Sequence, residues 1–348
     1  MEPTVSRRRQ GGLTWIEANN PPVNALSVSV RRELLRDLVQ SSAVPCTTAI
    51  VIGAKGRTFF AGAEIDELEH GVQPPGLMEF IHACDHAPQP VIAALHGTVF
   101  GGGVVVAYAC DWRVAAPHTQ IALPEVSLGL LPTFGGTQWL PRWLGVEAAL
   151  GLTIDGKVWT TEQALSAGLV DEVADTEHLA TAVQHLADQG PPKRRITDPA
   201  LWKDESQTDI SAAFDRRRAH LSAHAPDFEA AWTCLEVMQR GLTLPIDEAL
   251  QLEARAFEQL RRSEQSRRLR RLFFAERKLR RCNAHAIAQL GADIVRLDSQ
   301  DSKVLERLAH NAVAQQVVPD LAVFDALVVQ VLKHPRHRRS LIADLIDA

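Results

Sequence analysis

The segment PVIAALHGTVFGGGVVVAYACDWRVA, Pro90 to Ala115, decides how the rest of this chain is read. Its first part, Pro90 to His96, has the length and apolar composition of a buried strand, and it runs on into three consecutive glycines, Gly101, Gly102 and Gly103. Residues without side chains let main-chain N–H groups approach a ligand closely. If a helix starts at that point, its first N–H groups have no partner within the helix and its positive dipole end faces the same ligand. The pattern suits an oxyanion or a phosphate. Local propensity works against the helix, because Val104, Val105 and Val106 are β-branched and taken alone predict a strand. The spacing Gly101-x-Gly103-x-x-Val106, with Glu125 about 20 residues further on, imitates a dinucleotide fingerprint. Val106 is too large for the third glycine position and no first βα unit precedes it, so a Rossmann site is not expected.

Outward from the glycines, strand candidates lie at Leu13 to Ala18, Thr47 to Gly53, Asp111 to Ala115 and Gln120 to Leu123, and Ser27 to Gln40 carries Val30, Leu34, Leu35 and Leu38 at a helical period. The alternation predicts an α/β architecture. Two further stretches carry chemistry. In FFAGAEIDEL, Phe59 to Leu68, Ala61, Gly62 and Ala63 leave the backbone nearly bare, and in LPEVSLGLLPTFGG, Leu123 to Gly136, Glu125 follows a proline in apolar surroundings. A Pro-rich, charged stretch from Gln189 to Gln207 reads as a boundary. Beyond it Asp227 to Arg240, Pro245 to Arg262 and Ser266 to Arg281 have helical periodicity, as do the residues after Asn283. The expected division is a core domain over 11–190, a helical extension over 191–282 and a helical tail over 283–348.

Composition excludes several classes. Of the 348 residues 46% are hydrophobic and 23% charged, which is enough for a sizeable core, and the formal net charge of −5 favours neither nucleic acid nor an anionic membrane. Apolar runs such as Val104 to Ala109 fall far short of the roughly 20 residues of a membrane span, and no export signal is expected. Five scattered cysteines, never in a C-x-x-C pair, argue against a disulfide framework and for a reducing compartment, expected to be the cytoplasm. No histidine pair stands at metal-ligand spacing with an acidic or cysteine partner, so no metal is expected. Arg261 to Arg281 holds ten Lys or Arg against two Glu, a solvated helix face or a contact for an anionic ligand.

Taken together, NPPVNALS (Asn20 to Ser27), FAGAEIDEL (Phe60 to Leu68), HGTVFGGG (His96 to Gly103), CDWRVA (Cys110 to Ala115), LPEVSLGLLPTFGGTQWLPR (Leu123 to Arg142) and AGLVDEV (Ala167 to Val173) resemble the crotonase superfamily of enoyl-CoA hydratases and isomerases. With LEARAFEQLRRSEQSRRLRRLFFAERK (Leu252 to Lys278), the resemblance is to the amino-terminal part of multifunctional β-oxidation enzymes and covers about residues 11 to 281. No G-x-G-x-x-G follows Arg281, so the dehydrogenase half of those enzymes is not expected. The resemblance implies a spiral of ββα units completed by a helical carboxy-terminal region, an acyl-CoA substrate of fatty acid metabolism, and no cofactor. It implies that the Ala63 and Gly102 N–H groups hold the thioester oxygen as an enolate forms, that backbone near Ala61, Ala63 and Ile65 receives the adenine, and that Arg277 and Lys278 reach the CoA phosphates. Trimers are common in the family, whereas the multifunctional relatives cover their own site, so a homo-oligomer and a monomer both stay open.

Hydratases of this family use two glutamates, and at the first position this chain has Val105. Valine cannot exchange a proton, so efficient hydration, a lyase reaction, is not expected. Glu125 alone suffices to take a proton from one carbon and return it to another, as in Δ3,Δ2-enoyl-CoA isomerases. Burial should raise its pKa and make it a better base. Thr133 and Phe134 either shape the acyl pocket or form a purely structural turn. The alternatives are a weak hydratase, a 3-hydroxyacyl-CoA thioester hydrolase, a non-catalytic acyl-CoA scaffold, and a biosynthetic enzyme acting on carrier-protein thioesters. His96 is expected to be structural.

Overall fold

Residues 4–64 and 67–279 are described by the computed structural model. In chain order the elements are β1 (Val5–Gln10), β2 (Leu13–Ala18), α1 (Val28–Ser42), β3 (Ala49–Ala54), α2 (Glu67–His70), α3 (Leu77–His86), β4 (Val91–Leu95), β5 (Thr98–Phe100), α4 (Gly102–Ala109), β6 (Trp112–Ala115), β7 (Gln120–Ala122), α5 (Trp139–Leu144), α6 (Val146–Thr153), α7 (Thr161–Ala167), β8 (Glu172–Val173) and α8 (Leu179–Asp188). The helices α9 (Gln207–His224), α10 (Glu229–Gly241), α11 (Ile246–Arg262) and α12 (Glu264–Leu279) follow. A short 3-10 helix, Pro124–Leu128, carries Glu125.

The main sheet has the order β1-β2-β3-β4-β6-β8, with β1 antiparallel to β2 and every other pair parallel. Helices cover parallel strands on both faces, and β3 and β4 are accordingly buried almost throughout. The strand β1 escapes a pattern reading because its centre is Ser-Arg-Arg-Arg-Gln and only Val5 is fully buried; it is an edge strand protected by charge.

A second, smaller layer places the site. Strands β5 and β7 pair in parallel, and isolated bridges extend the layer from Leu26 to Ala63, from Phe60 to Val99 and from Ile121 to Trp159. The register that sets Phe60 opposite Val99 brings Ala63, three residues on, level with Gly102. The two stretches of bare backbone therefore meet.

The helix considered at the glycine triplet is α4, and Val104 to Val106, whose local propensity taken alone favours a strand, are part of it. From Gly103 to Ala109 the helix is buried on every side, so tertiary packing overrides the weak β preference of three valines. One hydrophobic cluster runs from Val5 through α4 to Ala256 and Leu260, so α10 and α11 share the core of the sheet domain. No helix of the described residues is long and apolar enough to cross a membrane. The tail over 283–348 lies outside the described residues.

Candidate active site

The glycine triplet works by close approach. Gly101, at φ +53, precedes the first turn of α4 and has a conformation that other residues rarely adopt. A Cβ on Gly103 would fall 2.3 Å from the Phe60 carbonyl oxygen, so only glycine lets α4 lie against the Phe60–Ala63 segment. A Cβ on Gly102 would lie 3.7 Å from Ala63 N. The carbonyl oxygen of Gly101 accepts from Val104 N–H at 2.8 Å. In a trans peptide the N–H points opposite to the C=O, so Gly102 N–H is directed out of the helix. By the same geometry Gly62 C=O, held at 2.9 Å by Leu26 N–H, turns Ala63 N–H the other way. Neither N–H has a main-chain partner among the described residues. The arrangement is two adjacent, outward donors at a helix start.

Glu125 faces them. Its Oε1 would lie 3.0 Å from a Cβ on Gly101, and its buried Oε2 has no hydrogen-bond partner among the described residues. Burial pushes its carboxyl up to about 7, far enough for a base that works near neutrality. Val105, one turn into α4, is 3% exposed and presents only methyl groups.

The Thr133–Thr137 turn is heavily braced. Phe134 has φ +58, an unusual conformation for a bulky residue, and its carbonyl accepts from the Tyr108 hydroxyl at 2.6 Å. Glu253, on α11 and 1% exposed, accepts from Gly135 N–H at 2.7 Å, from Thr137 N–H at 2.9 Å and from the Thr137 hydroxyl at 2.6 Å. Despite these donors, burial raises the Glu253 carboxyl to about 7. The helix α12 meets the Glu125 turn directly: Ser266 Oγ donates to Leu128 O at 3.0 Å.

The structure thus brings together Ala63, Gly102, Glu125 and Val105, with Ala61 half-buried beside them and Thr133 and Phe134 on the braced turn. Ile65 lies outside the described residues, as do the side chains of Arg277 and Lys278. His96 Nε2 sits 3.1 Å from Gly56 O, a structural contact. Within the basic segment Arg261 and Arg262 pair with Glu258, Arg268 pairs with Glu264, and Arg270 is buried. The sequence reading missed Glu253, Tyr108 and Arg31. Each had a signal: Glu253 falls in the buried series Ala249, Ala256 and Leu260, Arg31 falls in the series Leu34 and Leu38, and Tyr108 is the single tyrosine.

Comparison with known proteins follows the same lines. Residues 8–217 match the family model described as enoyl-CoA hydratase/isomerase. The chain belongs to that family. A curated relative named "Peroxisomal bifunctional enzyme" from Pongo abelii is 34% identical over 280 residues, 78% of this chain and 38% of the relative, so the chain spans well under half the length of that protein. Among solved structures, an enoyl-CoA hydratase subunit I from Geobacillus kaustophilus is 26% identical, with a TM-score of 0.50 over 76% of this chain and 92% of its own. An enoyl-CoA hydratase/isomerase from Pseudoalteromonas atlantica has a TM-score of 0.57 over 78% of this chain and 96% of its own at 20% identity, a likeness of fold. The α/β architecture is therefore the crotonase fold with its helical carboxy-terminal region.

Proposed function

We propose that this site isomerises 3-enoyl thioesters to 2-enoyl thioesters with Glu125 as the one proton carrier. The observation that carries the reading is the placement of the half-buried Glu125 carboxyl, raised to about 7 and with its buried Oε2 without a partner among the described residues, against the turn that holds two outward N–H groups.

In the first step Glu125 takes a proton from C2. The C–H electron pair forms a C1–C2 double bond, and the charge passes to the thioester oxygen between Ala63 N–H and Gly102 N–H. One such preorganised donor is worth about 3 kcal/mol of transition-state stabilisation. In the second step the dienolate collapses, its C3–C4 pair takes the proton back from Glu125 at C4, and a C2–C3 double bond remains. Proton and charge balance without a metal or redox cofactor. Val105 supports isomerisation over hydration, since its side chain cannot position a water or exchange a proton.

Acyl-CoA is the substrate class the family supports, with carrier-protein thioesters as the alternative delivery. Ala61 and Ile65 on the adenine side, Arg277 and Lys278 toward the phosphates, and Thr133 and Phe134 along the acyl chain complete the proposed contacts. The four described cysteines are free, which suits a reducing compartment; the cytoplasm is our proposal, and the compartment in the relative's name is the one to test against it.

The test is an assay of purified protein with 3-enoyl-CoA and 2-enoyl-CoA, beside Glu125→Gln. Isomerisation that outruns hydration and disappears in the variant is expected. Rapid hydration of 2-enoyl-CoA, or isomerisation unchanged by the substitution, overturns the reading. Binding of enoyl-CoA with no movement of the double bond identifies a scaffold instead.

A further inference from the structure

Arg31 is an expensive residue to have where it is. It is 4% exposed in the first turns of α1, and burying a guanidinium costs several kcal/mol unless its donors are matched. Here they are matched. Nε donates to Pro75 O at 2.8 Å, Nη1 to Leu26 O at 2.6 Å and to Glu67 Oε1 at 3.3 Å, and Nη2 to Glu67 Oε2 at 2.9 Å and to Gln73 O at 2.8 Å. Glu67 Oε1 also accepts from Val28 N–H at 3.0 Å, so the pair is locked to the start of α1. Core stability alone does not call for this, because well-packed apolar residues commonly serve it as well as a buried ion pair.

The acceptors explain the arrangement. Leu26, whose carbonyl Arg31 holds, gives its own N–H to Gly62 O at 2.9 Å, and that carbonyl belongs to the peptide whose N–H is Ala63. Pro75 and Gln73 lead into Leu77. The side chains of Leu26 and Leu77 both close on Gly102, where a Cβ would meet their Cδ1 atoms at 3.0 and 3.1 Å. One guanidinium therefore fixes the peptide that aims the first donor and the two leucines that seat the second.

We infer that Arg31 is a positioning residue for the two-donor site: through Leu26, Gln73 and Pro75 it sets the direction of Ala63 N–H and its spacing from Gly102 N–H. The inference rests on the reading of Ala63 and Gly102 as donors to a thioester oxygen. Lysine cannot replace the fork, because a single ammonium has three donors and no planar geometry.

The experiment compares wild type, Arg31→Lys and the exposed-neighbour control Arg32→Lys. Two quantities are read: kcat and KM for 3-enoyl-CoA, with the Kd of free CoA beside them, and the carbonyl stretch of a bound saturated acyl-CoA labelled with 13C at the thioester carbon. In Arg31→Lys, kcat should fall about 10- to 100-fold while the Kd of CoA stays within about threefold, since a donor displaced by a fraction of an ångström is lost chiefly in the transition state. The downshift of the bound carbonyl should shrink in parallel, a change that loosened packing elsewhere does not produce. Arg32→Lys should match wild type in both. If Arg31→Lys does not fold, Glu67→Gln, which keeps an acceptor for Val28 N–H and removes the ionic partner, should show the same split at smaller amplitude. An undiminished downshift in the variant, or lost CoA affinity with kcat retained, overturns the inference alone. A wild-type carbonyl with no downshift overturns the donor reading and the inference with it.

Discussion

The Glu253 carboxylate takes hydrogen bonds from both the N–H and the hydroxyl of Thr137, at 2.9 and 2.6 Å, across 116 residues of chain. Together with its bond to Gly135 N–H, this makes α11 the clamp on the Thr133–Thr137 turn, whose Phe134 lies in a left-handed conformation that the turn would not hold unaided.

Removing the clamp should be costly. Glu253→Ala leaves two main-chain N–H groups and a hydroxyl unpaired in a buried place, and we expect a loss of about 3–5 kcal/mol in denaturant unfolding. Glu253→Gln keeps one acceptor and the shape, and should lose about 1–2 kcal/mol. An unfolding midpoint unchanged in the alanine variant removes the clamp from the account.

The two carboxyls near 7 give a pH signature. Each has its folded pKa raised above the usual value near 4.5, so between those limits the folded state holds protons that the unfolded state has released. Stability conferred by the protonated forms is then present at pH 5 and fades as pH rises through 7, the reverse of a salt-bridged carboxylate. Glu125→Gln should accordingly unfold at a higher temperature than wild type at pH 8, by about 1–3 kcal/mol of stability, and nearly with it at pH 5. Activity runs the other way: kcat/KM should climb tenfold per pH unit below about 7 and level off above it, as Glu125 becomes a free base. A profile flat from pH 5 to 8 is incompatible with that role.

How much of this could be read in the chain depends on the range of the interaction. The bare backbone at Ala61–Ala63 and Gly101–Gly103 is local, so both donor stretches were legible, and the pairing of Phe60 with Val99 only sets them side by side. The α4 helix was not legible from its valines, because what makes it helical is burial by neighbours far away in sequence. Arg31 and Glu253 were written as charges in apolar periods, yet what they hold is a set of main-chain groups 42–118 residues distant, apart from the nearby Leu26 carbonyl, and periodicity cannot name such partners.

The glycines of the triplet should separate folding from chemistry. In Gly103→Ala the new methyl meets a main-chain oxygen at 2.3 Å, which cannot move without parting α4 from the Phe60 segment, so a loss of about 3 kcal/mol or more is expected in thermal or denaturant unfolding. In Gly102→Ala the contacts at 3.0 and 3.1 Å are the ends of Leu26 and Leu77, which can rotate. Stability should change by about 1 kcal/mol or less, whereas kcat should fall by at least about tenfold as the methyl crowds the donors. Equal effects of the two substitutions on folding contradict the geometry.

Val105 offers the sharpest test of the proposal that a single glutamate carries the reaction. Its side chain is buried and wholly apolar, so Val105→Glu puts an ionisable group into a buried place at a cost of about 2–4 kcal/mol, and the variant should unfold earlier than wild type. What remains folded should hydrate 2-enoyl-CoA at least about a hundredfold faster, because a second carboxyl in the site can hold the attacking water and exchange its proton. Val105→Ala enlarges the same space without adding a proton acceptor and should gain no hydration. If the alanine variant hydrates as well as the glutamate variant, wild type is limited by access for water; if the glutamate variant folds and hydrates no faster than wild type, the missing carboxyl is not what directs this site toward isomerisation.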